Sequence, residues 1–263
     1  MVIGYLFLAA VLGLLFGSFL NVCIYRLPRD LSVVSPRSFC PECGAQIGWR
    51  DNIPIVSYAV LRGRCRHCRK PIGVRYPVVE ATLSILLVAI IYRYGWTLAG
   101  LKWSVFVAIM VALFWTDIEE RLLPDEFTLG GALAGVVFAV FVMVPGAAGE
   151  LLLPGHAPIV RSLVNAGVAA LFIAGPVWFI GFAYSQLRKK EGLGLGDVKL
   201  LLLLGVFLGL EDGLLALLIG AVAGSVLGLI YVRVMHKDAA SYELPFGSFL
   251  CAGGVLVPLL VKI

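Results

Sequence analysis

Eight stretches of mostly apolar residues, at 3–22, 76–94, 97–116, 127–145, 159–184, 198–211, 213–233 and 245–262, constrain this chain more than anything else in it. A helix that crosses the hydrocarbon layer needs about 20 such residues. Lipid offers no partner to backbone polar groups, so a continuous apolar run has to be helical. A β-barrel would alternate apolar and polar residues, and these runs do not. Only 14% of the residues are charged, against about a quarter in a soluble domain. The expectation is an all-α polytopic membrane protein with about eight transmembrane helices, surrounded by a lipid bilayer.

The first run has no basic residue before it and no small-x-small cleavage site after it, so it reads as a retained span and not a signal peptide. Seventeen of the 21 Lys and Arg residues fall in 23–75, 117–126, 186–199 and 233–244. Basic residues gather on the cytoplasmic side of short loops. These four segments are therefore expected to face the cytoplasm, with both termini outside. The blocks Arg188-Lys-Lys190 and Lys237 then act as topology anchors, with Lys262 on the other side. A net charge of +5 reports this orientation and gives no argument for nucleic acid. The chain divides into a first span (1–22), a cytoplasmic loop domain (23–75) and a membrane-embedded core (76–263).

Segment 23–75 is too short and too poor in aliphatic residues to build a large core, so it needs a staple. Cys40-Pro-Glu-Cys43 and Cys65-Arg-His-Cys68 supply one. The pairs are separated by 21 residues, one beyond the usual range for a four-cysteine zinc site. Four thiolates in two close pairs suit tetrahedral zinc of the closed, structural kind. Gly44 favours the knuckle turn, and Arg64, Arg66, Arg69 and Lys70 favour the thiolate form. Disulfides and idle thiols are the alternatives, and a cytoplasmic location argues against disulfides. Cys23 and Cys251 read as packing residues, and His67 as solvated. Glu80 lies a turn inside an apolar run, where an ionised group needs a partner; Arg75 is five residues earlier, so an interfacial ion pair is expected.

Two acidic clusters stand at borders of apolar runs. In Glu191-Gly-Leu-Gly-Leu-Gly-Asp-Val-Lys-Leu200, Gly192, Gly194 and Gly196 permit unusual backbone angles and a close approach by a second chain. Asp197 there has a bland reading as a helix N-cap. Asp117-Ile-Glu-Glu-Arg-Leu-Leu-Pro-Asp125 is the second cluster, with Asp117, Glu119, Glu120 and Asp125 in one short connection. Acids count little for topology, so their density invites a chemical role. Pro124 stops the preceding helix and Asp125 is placed to N-cap the next, which leaves Asp117 for chemistry. Further on, Pro245 and Gly247 in Tyr242-Glu-Leu-Pro-Phe-Gly-Ser-Phe249 make a re-entry turn, and no internal repeat stands out.

The topology puts Asp117 and Asp197 on one side and at similar depth. Two carboxylates that face each other share a proton. One then activates water while the other protonates the carbonyl oxygen or leaving amine, which is aspartyl peptide hydrolysis. No Ser/His/Asp set competes, because His67, His156 and His236 sit in unrelated loops. A cation- or proton-coupled transporter is the rival from another class, but it would prefer carboxylates near mid-bilayer. A zinc-stapled scaffold with the two aspartates as caps is a second rival.

The chain resembles the bacterial type IV prepilin peptidases, membrane-embedded aspartic peptidases of the GxGD type, nearly from end to end. The resemblance rests on Gly17-Ser-Phe-Leu-Asn21, Tyr25-Arg-Leu-Pro28, the two CxxC pairs, Asn52-Ile-Pro54, Arg62-Gly-Arg-Cys65, Arg75-Tyr-Pro77 with Glu80, Asp117 to Asp125, Gly194-Leu-Gly-Asp197 with Lys199, and Leu244-Pro-Phe-Gly247. It implies that Asp117 and Asp197 are the catalytic pair, with Gly194, Gly196, Lys199, Glu119, Glu120 and Asp125 supporting the site or the substrate. It implies a prepilin or pseudopilin substrate of pilus and type II secretion systems, cut after the glycine that ends its basic leader. It also implies an inner-membrane location and, in members carrying the cysteine loop, N-methylation of the new terminus by S-adenosylmethionine. No glycine fingerprint for that cofactor occurs, and the sequence gives no oligomeric state.

Overall fold

The computed structural model describes residues 2–188, 194–234 and 245–261. Lys189, Lys190, Gly192, His236, Lys237, Tyr242, Leu244 and Lys262, all singled out above, lie outside the described residues. The described residues form ten α-helices: α1 (Val2–Arg26), α2 (Val56–Val60), α3 (Arg75–Tyr94), α4 (Leu98–Glu120), α5 (Asp125–Phe141), α6 (Ala148–Leu152), α7 (Pro158–Arg188), α8 (Leu195–Leu208), α9 (Leu210–Val234) and α10 (Phe246–Leu260). Every one of the eight apolar runs has become a helix. Five of these, α1, α3, α4, α7 and α9, are long and apolar enough to cross a membrane. The other three fall short, α5 with 17 residues, α8 with 14 and α10 with 15. The chain is thus a multi-pass helical membrane protein with five helices of crossing length among the described residues, and the expected count of eight is not reached by that measure. The chain divides into two units, Met1–Ala112 and Leu113–Ile263.

In the first unit α1 lies against α3 with glycine at the closest points. A Cβ on Gly13 would stand 2.4 Å from the Cα of Ser84, and one on Gly17 would stand 2.7 Å from the Cα of Glu80. Small residues let helix backbones approach, which is how helices associate where lipid removes the hydrophobic drive. Polar groups then bond across: Ser84 Oγ donates to the Ala10 carbonyl at 3.0 Å, and Asn21 Nδ2 to the Tyr76 carbonyl at 3.0 Å.

Between these helices the cysteine segment forms two short hairpins that repeat one another at an offset of 25 residues. In the first, Cys40 N–H donates to Ala45, Gly44 N–H to Cys40 and Ile47 N–H to Ser38; in the second, Cys65 N–H donates to Lys70, Arg69 N–H to Cys65 and Ile72 N–H to Gly63. Isolated antiparallel bridges, Phe39 with Gln46 and Arg64 with Pro71, complete the match. Gly44 and Arg69 occupy equivalent left-handed positions, at φ 71 and φ 60. The sequence disguises this repeat because one hairpin meets the backbone requirement with glycine and the other with arginine.

In the second unit α8 is the central element. Its residues Leu200, Leu201 and Leu203 to Leu208 are all buried. A helix apolar on every face has to be surrounded, and α5, α7, α9 and α10 all pack against it. Glycines again set the approach. A Cβ on Gly205 would meet the Ala170 backbone at 2.7 Å, and one on Gly135 the Phe207 ring at 2.8 Å. Gly220 and Gly224 of α9 seat Leu250 and Phe249 of α10 in the same way. Gly209 joins α8 to α9 at φ 83, where a Cβ would also strike the Pro145 carbonyl at 2.4 Å.

The connection from α5 to α7 carries little chemistry in sequence but is stapled from α7. Ser162 Oγ donates to the Ala139 carbonyl at 2.7 Å and accepts Val144 N–H, while Asn165 donates to the Val144 carbonyl and accepts Gly149 N–H at 2.6 Å.

Candidate active site

Four helix ends of the second unit meet around Asp117. The last turns of α4 carry that residue, 6% exposed. Helix α4 stops because Arg121 adopts a left-handed conformation, φ 55, with its N–H on the Asp117 carbonyl at 3.1 Å. Pro124, expected to end this helix, stands instead at the N-cap of α5. The chain re-enters at α10 behind Pro245, an N-cap with no side-chain acceptor. The first amides of α10 therefore lack partners inside their own helix. Asp117 supplies one: its Oδ2 accepts the Ser248 N–H at 2.6 Å and lies 2.7 Å from the Ser248 hydroxyl. That hydroxyl is also 3.1 Å from the Phe114 carbonyl. A carboxylate at the C-terminal end of α4 is poorly placed relative to its own helix dipole, and the positive end of α10 compensates.

Gly247 is glycine for lack of room. A Cβ there would lie 3.2 Å from both Cγ and Oδ2 of Asp117 and 3.1 Å from Leu123 Cδ1. Leu123 also closes on α8, since a Cβ on Gly196 would meet its Cβ at 3.3 Å. One leucine in the connection after Asp117 thus packs under the starts of both α8 and α10. Neither Leu123 nor Ser248 gave a signal in the sequence, because an apolar residue and a lone serine have no motif of their own.

Asp197 is the third residue of α8 and half-buried. The N-cap is Gly194, so the capping reading of Asp197 gives way to an acid in the first turn, where the helix dipole favours it. A Cβ on Gly194 would come only as near as 4.0 Å to Asp197 Oδ2. The negative field of Asp117 reaches the Asp197 carboxyl, and the buried Cys251 thiol lies in the field of both. The geometry agrees: Leu123 touches both Gly196, next to Asp197, and Gly247, which lies against the Asp117 carboxyl, so the first turn of α8 and Asp117 meet around one leucine. Lys199, two residues on, pairs with Asp125 at 2.6 Å and joins the starts of α8 and α5. Asp125 is the first residue of α5, not its cap, which is Pro124. Glu119 and Glu120 are exposed on the last turn of α4.

In the first unit the four cysteines converge: one sulfur from each of Cys40, Cys43, Cys65 and Cys68 lies within 4.8 Å of all the others. Tetrahedral zinc with Zn–S of about 2.3 Å puts its sulfurs about 3.8 Å apart, and Cys40 and Cys68 are separated by 3.9 Å. Backbone N–H groups of Cys68 and His67 lower the Cys65 thiol to about 6. At Cys68 the Lys70 N–H acts in the same direction, but burial and hydrogen bonds with Cys65, Cys43 and Cys40 push it up to about 11. Four sulfurs so crowded cannot all ionise without a cation among them. The residues present fit a closed four-thiolate metal centre. Around it, Arg66 grips Asp51 with two hydrogen bonds of 2.7 and 2.6 Å, and Lys70 pairs with Glu42.

The expected Arg75–Glu80 ion pair is replaced by a different arrangement. Glu80, 7% exposed, accepts the Ile55 N–H at 2.7 Å and a bond from Ser18, while the Arg75 guanidinium lies over the Tyr76 ring at 4.7 Å. The α1–α3 approach brings Ser18 to Glu80, a contact that local sequence spacing does not reveal.

Comparison with known proteins gives a consistent result. The family model for the bacterial peptidase A24 N-terminal domain matches residues 11–94, and that for the type IV leader peptidase family matches 104–229. A protein of Xanthomonas campestris pv. campestris is 35% identical over 95% of this chain and 89% of its own length. One from Myxococcus xanthus is 38% identical over 84% and 61% respectively, and one from Burkholderia pseudomallei is 34% identical over 94% and 82%. All three are named prepilin leader peptidase/N-methyltransferase. No solved structure matches the chain.

Proposed function

The chain belongs to the type IV leader peptidase family, and from that premise we propose that it cuts the basic leader from type IV prepilins or pseudopilins by an aspartic mechanism at the cytoplasmic face of the bacterial inner membrane. The observation that carries this reading is the meeting of Asp117 and Asp197 at helix ends, with Ser248 fixing the first of them. Hydrogen bonds to Ser248 occupy Asp117 Oδ2, so the reacting oxygen is Oδ1. One member of the pair takes a proton from water, which attacks the carbonyl carbon of the leader's final glycine. The other gives its proton to the carbonyl oxygen; the first then passes the water's proton to the leaving amine as the C–N bond breaks, and the second recovers a proton from the gem-diol as the new carboxyl forms. Gly194 and Gly196 leave space for an extended substrate backbone, and the Lys199–Asp125 pair holds the starts of α8 and α5 together. In this division the peptidase chemistry lies within 76–263, and the 23–75 segment is held by zinc. The transporter reading draws no support from relatives named peptidase and N-methyltransferase.

A second activity follows from the relatives' shared name. S-adenosylmethionine, when bound, supplies an electrophilic methyl group for the amine that cleavage exposes. The test of the whole reading is mass spectrometry of a prepilin incubated with the purified protein. Loss of the leader at the glycine with one added methyl is expected. An intact substrate under conditions where the protein stays folded overturns it.

Two further outcomes arise from the site. Gly247→Ala forces a new methyl against the Asp117 carboxyl, and misplacing a reacting group by up to an ångström costs as much as about a hundredfold. The expected result is a fall in kcat of about tenfold or more with KM little changed; unaltered kcat would show that Asp117 tolerates displacement. Glu119 and Glu120 face outward and suit a substrate leader rich in Lys and Arg. Reversing both to Lys is expected to raise KM severalfold in low salt, with the difference shrinking as salt screens it. KM unchanged at low salt would separate leader recognition from this acidic turn.

A further inference from the structure

The first unit contains a cavity of about 380 Å³ bounded by α1, the start of α3 and the cysteine hairpins. Its wall holds three features that packing alone does not require. Asn21, 2% exposed, donates through Nδ2 to the Gly17 and Tyr76 carbonyls, yet its Oδ1 has no hydrogen-bond partner. A buried acceptor left unsatisfied is costly and calls for an explanation, a missing donor being the simplest. Glu80, also buried, brings a carboxylate to the same wall and is held by a neutral amide and a hydroxyl. Ile55, which donates that amide, sits at φ 59. A β-branched residue is a genuine outlier there, and such strain concentrates at ligand clamps.

The rest of the wall combines apolar and aromatic residues, Val22, Tyr25, Ile47 and Ile72 among them, with charged ones whose cations are already engaged: Arg66 on Asp51, Lys70 on Glu42, and Arg26 on the Ser32 and Pro36 carbonyls. Its volume falls in the range of pockets that enclose drug-sized ligands. The ligand called for is therefore flat and apolar in one part, rich in N–H donors and positively charged in another. Resting on the methyltransferase half of the reading above, we infer that this cavity receives the adenosyl sulfonium methyl donor, with the Asn21 carbonyl oxygen accepting one of its N–H groups and Glu80 facing its positive charge. Cys40 and Cys65 contribute to the same wall, so the metal centre holds one side of the cavity in place.

The probe is sinefungin, a donor analogue that is cationic and cannot transfer a methyl group. Calorimetry with the zinc-loaded full chain in detergent is expected to show one saturable site per chain. Asn21→Leu, which removes the acceptor at similar size, and Val22→Trp, which fills the wall, are each expected to weaken binding at least tenfold with the thermal midpoint preserved. A photoreactive azido-adenosyl analogue on the unmodified chain is expected to label peptides within 18–26, 53–61 or 72–80, and this readout stands even where a variant fails to fold. Wild-type affinity in both variants, or labelling confined to other peptides, overturns the assignment of the cavity while leaving the methyltransferase reading intact. A wild-type chain that cleaves prepilin but binds no sinefungin overturns that reading, and the cavity assignment with it.

Discussion

Asp117→Asn and Asp197→Asn are each expected to reduce leader removal by at least about a thousandfold, and the double substitution by little more than either alone. Residues that work as a unit show this non-additivity, because the second loss removes something already disabled. Asparagine keeps the shape of aspartate, and at position 117 its oxygen can still accept the Ser248 N–H, so the start of α10 keeps its cap. What disappears is the ability to take and return a proton. Initial rates on a purified prepilin, read beside the thermal midpoint of each variant, give the comparison. Cleavage within tenfold of wild type in either variant would remove that residue from the chemistry, whatever its position in the fold.

The second large effect concerns the metal. Replacing Cys40, Cys43, Cys65 and Cys68 together with serine is expected to take bound zinc from one per chain to none. It should also open residues 38–72 to proteolysis. Structural zinc binding is worth on the order of 10 kcal/mol to small domains that cannot fold without it, and this segment has little core to set against such a loss. The elemental content of the purified protein and the positions of protease cuts measure the two parts separately. Stoichiometric metal in the quadruple variant would place the ion elsewhere, and an intact segment without metal would show that its ion pairs and short hairpins suffice.

Much of the helical architecture was legible because lipid leaves an apolar run no other conformation. The lengths were not, since helix ends are decided by local geometry: Arg121 in a left-handed turn, Gly209 pressed against Pro145, Pro245 ahead of α10. The cysteine cluster could be read from spacing, because thiol chemistry fixes which residues must meet. Asp117 and Asp197 stood out as charges in apolar surroundings. Ser248, Leu123 and Asn21 did not, for their importance comes from what another helix brings to them. Glu80 shows the same limit from the other side. Its nearby arginine in sequence was the natural partner, but the approach of α1 through Gly17 and the strained Ile55 amide supply different ones.

Each cysteine hairpin closes its three backbone hydrogen bonds within ten residues, without reference to the other. Contacts that local form early and fast. On a growing chain the 38–47 hairpin can thus be complete while Cys65 is still unmade, holding two sulfurs ready. Capture of a metal ion by the four sulfurs would then be the final event, tying two finished pieces and closing the longer loop between them in one step.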